Sequence, residues 1–189
     1  KENDPQKKQD YIRKIDVSGK LLLDLINDTL ELSRIESGKA SVEIEAVMPN
    51  DLIPVVTTAL RPSAELKNLS FETDFSIDAD TPIWCDKLKL QKIAMNLISN
   101  AIKYTPEGGK VSVGLRTVPT EKMGGCYLIT VEDNGIGMSE EFVKHMYEPF
   151  SQEKRSDSIQ QLGTGLGLSI VKRYVDLMTD EAARKRFAA

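Results

Sequence analysis

The sequence contains few of the residues that build metal sites and disulfide frameworks. It has two cysteines, Cys85 and Cys126, and a single histidine, His145. The cysteines are not spaced as zinc ligands, and two thiols do not make a disulfide framework. Both fall in strand-like stretches, so we expect plain buried thiols, which are typical of proteins in a reducing compartment.

The chain also lacks a strong charge of either sign and a long apolar run. A net charge of −4 and a pI near 5.2 give no electrostatic reason to expect nucleic acid as a partner. No apolar run approaches a membrane span and no signal peptide is visible, so a membrane anchor is expected only outside this chain. The 189 residues, 40% of them hydrophobic, suit one domain with an appendage or two small domains.

The first part of the chain predicts one long helix. Apolar residues recur at steps of three and four from about Asp4 to Ser37, and Gly38 is a stop signal. The apolar face is wide and partly two-sided, so we expect a partner helix in a bundle or a dimer seam. A helix that lies on its own domain is the alternative.

The rest of the chain mixes strand and helix patterns. Asn50, Asp86 and Ser139 are each placed to cap the start of a helix. Pro62 is expected to kink the helix that Asn50 caps. The predicted strands are Ala40–Met48, Leu69–Ile77, Pro82–Cys85, Lys110–Val118 and Cys126–Asp133. The predicted helices are residues 50–67, Lys87–Tyr104, Glu140–Met146 and a final helix that begins near Thr164.

A glycine-rich stretch, Gly163–Leu168, precedes the last helix. Glycine allows close approach of the backbone to a ligand, and a loop that runs into a helix start offers free N–H groups to an anion. We interpret the stretch as a phosphate cradle, with a flexible turn as the alternative. Its spacing matches neither the P-loop nor the dinucleotide-binding pattern.

Polar side chains share one face of the helix Lys87–Tyr104. Asn96, Asn100, Lys103 and Tyr104 follow the spacing i, i+4, i+7, i+8. Asparagine disfavours helix interiors, an amide oxygen suits Mg²⁺, and a lysine can meet phosphate as a point charge. The side chain of Tyr104 could lie against a base. The alternative is a solvated polar face with one core tyrosine.

Two further stretches carry polar or anchoring residues. Asp133–Met138 follows a strand, and a carboxylate there could accept a hydrogen bond from the adenine amine, although an Asx turn is the alternative. Glu148–Phe150 could anchor a polar loop, with the Phe150 ring buried. Residues 151–162 would then form a lid over bound nucleotide.

In this order and separation, residues 96–109, 133–138, 148–150 and 163–168 resemble the nucleotide-binding domain of sensor histidine kinases. They resemble its asparagine, first glycine, phenylalanine and second glycine boxes, and the likeness covers roughly residues 10–178. Residues 30–39 are similar to the second helix of the family's dimerisation and phosphotransfer hairpin.

The resemblance implies a fold and a division of the chain. The fold would be α/β, an α+β two-layer sandwich of the Bergerat type, with a mixed sheet, three helices on one face, and a long bundle helix in front. Residues 1–39 would be the partial hairpin, residues 40–178 the ATP-binding catalytic domain, and residues 179–189 an atypical tail, because no strand pair is visible there.

The resemblance also implies roles for individual residues. Asn100 would hold Mg²⁺ at the ATP phosphates, Asn96 would support that shell, and Lys103 would contact phosphate. Tyr104 would contact the base and Asp133 would read the adenine amine. The full set implied to contact ATP is Asn96, Asn100, Lys103, Tyr104, Asp133, Gly135, Gly137, Phe150, Gly163, Thr164, Gly165, Leu166, Gly167 and Leu168.

The implied activity is transfer of the ATP γ-phosphoryl group to a histidine, for relay to an aspartate of a response-regulator receiver domain. The implied setting is a homodimer formed through the bundle helix, in the cytoplasmic portion of a membrane-anchored bacterial sensor. Related ATPases of the gyrase, chaperone and mismatch-repair type carry a glutamate base at the position of Asn96. An amide cannot take a proton, which favours transfer over hydrolysis. A related ATP-hydrolysing enzyme and a non-catalytic nucleotide-binding or dimerisation module remain the alternatives.

Two positions depart from the family pattern. The family's phosphate acceptor is a histidine on the first helix of the hairpin, whereas His145 lies on the short helix before Phe150 and is interpreted as a surface or semi-buried residue. The acceptor is therefore expected to be absent from this chain, which should not phosphorylate itself. Gln152 stands where many family members carry a basic residue. Arg155 is another source of a phosphate-facing charge, with a solvated loop charge as the alternative.

Overall fold

The computed structural model describes residues 5–77, 80–118, 126–153 and 163–187. One turn of 3-10 helix covers Pro49–Asp51. The helices are α1 (Pro5–Glu36), α2 (Ile53–Glu65), α3 (Lys87–Tyr104), α4 (Glu140–Val143) and α5 (Gly167–Phe187). The strands are β1 (Glu45–Val47), β2 (Ser70–Asp74), β3 (Ile83–Cys85), β4 (Lys110–Val118) and β5 (Cys126–Asp133).

Helix α1 confirms the long helix predicted at the start of the chain. It ends where Gly38 takes a φ of 67° and donates its amide hydrogen to the Ile35 carbonyl, as an αL helix stop does. Its C-terminal part packs on the rest of the described chain, through buried Leu32 and partly buried Leu25 and Ile35. Large apolar side chains nearer its start are exposed: Tyr11, Ile12, Ile15, Leu22, Leu23 and Ile26.

The strands form two sheets. β2 pairs with β4 in parallel and β4 pairs with β5 in antiparallel fashion, which gives the mixed sheet that the sequence predicted. β1 and β3 make a separate antiparallel pair of three residues each. The prediction of a strand over Ala40–Met48 was therefore too long, because β3 offers only three partner residues and Pro49 starts the 3-10 turn.

Helix α3 lies at the centre of the fold. One side of it packs with α2 over the buried, alternating face of β4, where Val111, Val113 and Leu115 are inaccessible to solvent. Its other side carries Ile93 into a second apolar cluster with α1 and α5. Helices α2 and α3 therefore form a layer on the sheet, which confirms the two-layer α/β arrangement.

The predicted helix caps have mixed outcomes. Asp86 and Ser139 accept the backbone N–H groups of Lys89 and Phe142, as caps of α3 and α4 should. Asn50 does not cap α2, because it lies inside the 3-10 turn and α2 begins after Leu52 without a side-chain cap.

Two helix ends and one helix start differ from the sequence prediction. Helix α2 stops at Glu65, and Pro62 lies within it. Helix α4 stops at Val143, not Met146, because the next residues close tighter turns, such as the bond from the His145 amide to the Phe142 carbonyl. Helix α5 begins at Gly167, three residues after the predicted start near Thr164, and continues to Phe187, so residues 179–187 form helix and, as expected, no strand pair. No helix in the described ranges is both long and apolar enough to cross a membrane.

Candidate functional site

The polar face of α3 forms the floor of the candidate site. Asn96, Asn100 and Lys103 are half-buried, and Tyr104 is 39% exposed. The Lys103 ammonium lies 4.7 Å from the centroid of the Tyr104 ring, within cation–π range. The Asn96 side-chain nitrogen is buried and has no hydrogen-bond partner within the described part of the chain. A buried amide without a partner is uncommon and indicates that a ligand or water completes it.

The second glycine stretch lies against this face. A Cβ built on Gly167 would lie 3.4 Å from the Asn96 side-chain oxygen, and one built on Gly163 would lie 2.5 Å from Lys103 Nζ. The structure thus brings residues 163–167 onto the side chains predicted to meet phosphate. Because residue 163 is a glycine, no side chain at that position competes with the Lys103 ammonium for space.

The phenylalanine stretch joins the same site through its backbone. Phe150 has a φ of 63°, and a Cβ on Gly165 would lie 2.8 Å from the Phe150 carbonyl carbon. The expectation that the Phe150 ring is buried is wrong, because the ring is 60% exposed. The contact that joins Phe150 to the glycine stretch is made by backbone atoms.

Gln152 makes a contact that the sequence did not reveal. Its side-chain nitrogen donates to the Gly163 carbonyl at 2.6 Å. The residue that departs from the family pattern thus connects the start of the predicted lid to the second glycine stretch. Residues 154–162, which include Arg155 and most of the predicted lid, lie outside the described residues.

The first glycine stretch lies against the end of α3. The Ile136 amide donates to the Tyr104 carbonyl at 3.2 Å, and a Cβ on Gly135 would lie 2.6 Å from that carbonyl oxygen. Asp133 is exposed and accepts the Gly135 amide hydrogen at 2.9 Å, which is an Asx turn. The turn uses one carboxylate oxygen, so the other oxygen is still able to accept a hydrogen bond from a ligand. Gly137 has a φ of 64° with open space around it.

The remaining members of the second glycine stretch differ in what they contact. The Leu166 side chain is fully buried in the cluster shared by α1, α3 and α5, so only its backbone can face a ligand. Thr164 donates its hydroxyl to Asp28 of α1 at 3.0 Å and accepts the Leu166 amide hydrogen at 3.2 Å. Leu168 is half-buried in the first turn of α5.

An acidic stripe on α1, Asp28 and Glu31, faces α3 and α5. Lys92 of α3 lies 3.7 Å from Asp28 and 3.3 Å from Glu31, and the Tyr174 hydroxyl donates to Glu31. Burial, together with the Glu31 carboxylate, raises the pKa of Tyr174, so its hydroxyl remains a donor. These contacts fix α1 beside the second glycine stretch, and no local pattern in the sequence indicated them.

The other titratable groups of interest lie outside this arrangement. His145 is exposed and paired with Glu148 at 2.8 Å, in agreement with its interpretation as a surface residue. Cys85 is a buried thiol, as expected, and burial raises its pKa to about 11, so it is not a reactive thiolate. The Cys126 side chain lies outside the described residues.

The described ranges contain no group of three or more His, Cys, Asp or Glu side chains that could bind a metal. The amide oxygens of Asn96 and Asn100, together with ligand phosphates, are the donor set that suits Mg²⁺, which keeps several waters.

Comparisons with known proteins show the family of the chain. The family model described as histidine kinase-, DNA gyrase B-, and HSP90-like ATPase matches residues 85–186. The sensor protein GacS of Pseudomonas syringae pv. syringae is 38% identical over 172 residues. The match covers 91% of this chain but 19% of GacS, so the chain spans about a fifth of that relative.

Two solved structures share the fold. Full-length ShkA in complex with AMPPNP is 28% identical, with a TM-score of 0.72 over 92% of this chain and 34% of that one. Histidine kinase ThkA in complex with the response regulator protein TrrA is 22% identical, with a TM-score of 0.66 over 90% of this chain and 45% of that one. The chain therefore belongs to the histidine kinase-, DNA gyrase B- and HSP90-like ATPases, as an ATP-binding catalytic domain of the sensor histidine kinase type.

Proposed function

We propose that this chain binds Mg-ATP between the polar face of α3 and the second glycine stretch, and that the whole protein transfers the γ-phosphoryl group to a histidine. The observation that carries the proposal is the convergence of the two glycine stretches and the phenylalanine stretch on the C-terminal half of α3. Asn96 faces Gly167, Lys103 faces Gly163, and the Tyr104 carbonyl contacts the first glycine stretch.

The phosphates would lie along the α3 face beside residues 163–167. The backbone amides of Gly163, Gly165 and Gly167 lead into the N-terminus of α5, where unpaired N–H groups and the helix dipole favour anions. Lys103 would add a positive charge against the phosphates. Its ammonium lies close enough to Gly163 to serve the same ligand as the loop.

Asn100 would hold the Mg²⁺ ion with the phosphate oxygens, and Asn96 would support that shell. The metal would neutralise charge on the transferring phosphoryl group. The orphaned Asn96 nitrogen is consistent with a ligand here, because the same amide could donate to a phosphate or a bound water.

The base would lie at the other end of this site. Tyr104 offers a partly exposed ring, and Asp133 offers the carboxylate oxygen that would accept the adenine amine. Gly135 and Gly137 would let the backbone pass close to the base. Catalysis would then depend mainly on positioning and charge neutralisation.

The asparagine at position 96 distinguishes the proposed phosphotransfer from ATP hydrolysis. A water-activating base must accept a proton, and a carboxamide does not.

The proposed acceptor of the phosphoryl group is a histidine on a partner helix of α1 outside this chain. The exposed apolar side chains of α1 support a partner there, which we propose is the hairpin of a kinase homodimer. A response-regulator receiver domain is the proposed next acceptor, since ThkA, which shares this fold, forms a complex with the response regulator protein TrrA.

Calorimetric titration with a non-hydrolysable ATP analogue tests the binding site. We expect binding that needs Mg²⁺ and that Asn100→Ala weakens by at least about tenfold, equivalent to loss of one ligand or strong hydrogen bond. Asn50→Ala is the matched control, because Asn50 is an exposed asparagine in the 3-10 turn remote in sequence from α3. Magnesium-independent binding, or equal affinities for the two variants, would contradict the proposal.

Radiolabelled ATP distinguishes transfer from hydrolysis. This chain alone is expected to acquire no acid-labile phosphate, and a longer chain with the upstream helix is expected to acquire it on histidine. Steady hydrolysis by this chain that Asn96→Ala abolishes would instead favour the hydrolysing alternative.

A further inference from the structure

Lys67 has contacts that neither the motifs nor the proposed roles involve. It lies just after α2, and its ammonium donates to the carbonyls of Ile102, Lys103 and Thr105 at 2.9, 2.7 and 2.6 Å. All three N–H donors of the ammonium are therefore satisfied by the C-terminal end of α3. Helix ends carry unpaired carbonyls and a partial negative charge, so a partly buried lysine is a strong partner for them.

Lys67 and the first glycine stretch hold the end of α3 from two directions. Of the four carbonyls from residue 102 to residue 105, Lys67 takes three, and the remaining one, that of Tyr104, accepts the Ile136 amide hydrogen at 3.2 Å. The interlock is tight, because a Cβ on Gly135 would lie 2.6 Å from the Tyr104 carbonyl oxygen. A small shift of this helix end would break the contact with the glycine stretch.

The turn that carries Lys67 is itself fixed on the next turn of the chain. The Gly108 amide donates to the Lys67 carbonyl at 3.4 Å, and the Asn68 side chain donates to Glu107 at 2.7 Å. Asn68 has a φ of 53°, which turns the chain from α2 into β2. Burial lowers the pKa of Lys67, in keeping with an ammonium withdrawn from water to meet these carbonyls.

We propose that Lys67 is a positioning residue for the nucleotide base, because it fixes the end of α3 and so aligns Tyr104 with the first glycine stretch. This inference rests on the proposed function, since it assigns the base to that side of the site. Lys67 would touch neither base nor phosphate. Its loss should affect recognition of the base more than binding of the phosphates. The Tyr104 backbone contacts the first glycine stretch directly, whereas Asn96 and Lys103 reach the second glycine stretch through their side chains.

The test compares Lys67→Met with the unaltered chain for two non-hydrolysable nucleotides, an adenosine triphosphate analogue and its inosine counterpart, in calorimetric titrations with Mg²⁺. Inosine lacks the amine that Asp133 would accept. We expect the Kd of the adenosine analogue to rise about tenfold and that of the inosine analogue by less than about threefold. The preference for adenine would therefore fall. Lys67→Arg, which keeps several donors, should restore the adenosine Kd to within about threefold.

Lys89→Met is the matched control. Lys89 is a partly buried lysine at the opposite end of α3, where it pairs with Asp86 at 2.6 Å. Its loss should lower stability while leaving the two Kd values and their ratio unchanged. If Lys67→Met behaves in the same way, with a smaller binding-competent fraction but unaltered Kd values, Lys67 is only structural and the inference is wrong. An equal rise in both Kd values would also overturn it.

Amide hydrogen exchange without nucleotide gives an independent measurement. Ile136 and Asn134 lie in the same stretch, but the Asn134 amide donates to the Lys110 carbonyl, away from α3. Lys67→Met should speed exchange at Ile136 at least about fivefold relative to Asn134, and equal effects on the two amides would overturn the inference. If the unaltered chain binds neither nucleotide, the proposed function fails, while this measurement still reports whether Lys67 positions the helix end.

Discussion

Gly165 and Phe150 both have positive φ angles, 72° and 63°, and their backbones are in contact. A side chain at position 165 would suffer the left-handed conformation and a 2.8 Å approach to the Phe150 carbonyl carbon. We therefore expect Gly165→Ala to displace the second glycine stretch and weaken binding of the ATP analogue at least about tenfold, as measured by calorimetry.

Gly19→Ala is the contrasting substitution. Gly19 lies within α1, where a Cβ would meet nothing within 4 Å. Alanine should raise the free energy of unfolding by about 0.5–1 kcal/mol, because glycine is a poor helix former. The ATP analogue should bind as before. Equal effects of the two substitutions on binding would contradict the role given to Gly165.

His145 and Glu148 form an exposed pair whose titration can be measured directly. The hydrogen bond and charge of Glu148 raise the pKa of His145 above 6.5. A raised folded-state pKa means that the pair favours the folded state below pH 6.5 and loses this effect as the pH rises through the folded value. Proton NMR should show His145 titrating above its ordinary value, and Glu148→Gln should lower that midpoint. An unchanged midpoint would contradict the pairing.

At the scale of elements, α3 depends on its N-terminal cap. Asp86 is buried and accepts hydrogen bonds from the Lys89 amide, the Lys89 ammonium and the Glu43 amide at 3.0, 2.6 and 3.1 Å. Asp86→Ala should cost about 2–3 kcal/mol of stability in chemical unfolding, through the lost cap and the unpaired groups left behind. Asp86→Asn should cost less, because its amide oxygen can still cap the helix.

The pH dependence of stability provides a second measurement on the same cap. Burial would raise the pKa of Asp86, but the hydrogen bonds and charge of Lys89 and the Glu43 amide outweigh it and leave the pKa below 3.8. Because the folded pKa is lowered, the carboxylate stabilises the fold above pH 3.8, and this contribution is lost as the pH falls through the folded value. Asp86→Asn should lack that acid-side loss. A variant that retains it would contradict the account.

The boundaries of α3 were predictable from the sequence, whereas those of the short strands were not. Asp86 is a helix-start residue and Pro106 follows the end, so local chemistry sets both limits of α3. β1 has three residues because its partner β3 has three, which is a tertiary constraint. Residue spacing alone likewise predicts that Asn96, Asn100 and Lys103 share one face of this helix.

Contacts between residues distant in the chain are what the sequence did not reveal. Lys67 reaches the end of α3, Gln152 reaches the Gly163 carbonyl, and Thr164 reaches Asp28 on α1. Each involves a common polar residue with no local signature, so only the packing of the elements identifies its partner. These contacts fix the edges of the site, while the motif residues line it.

At the scale of the whole molecule, α1 is tied to the nucleotide side of the domain. Its acidic stripe meets Lys92, Tyr174 and Thr164, so the helix that carries the exposed apolar face also touches the second glycine stretch. The candidate site is thus shared by α1, α3, α5 and the two glycine stretches. A ligand that rearranges residues 163–168 would therefore change the contact between Thr164 and Asp28 of α1.

The central claim is that these separate stretches form one ATP site. An NMR titration with a magnesium-bound, non-hydrolysable ATP analogue tests it most directly, with backbone amides followed along the chain. The account predicts saturable shifts concentrated at residues 163–168, at Gly135 and Ile136, and along α3 from Asn96 to Tyr104, with little change in β1 and β3. Saturable binding whose shifts lie elsewhere, or no shifts at saturating ligand, would contradict it.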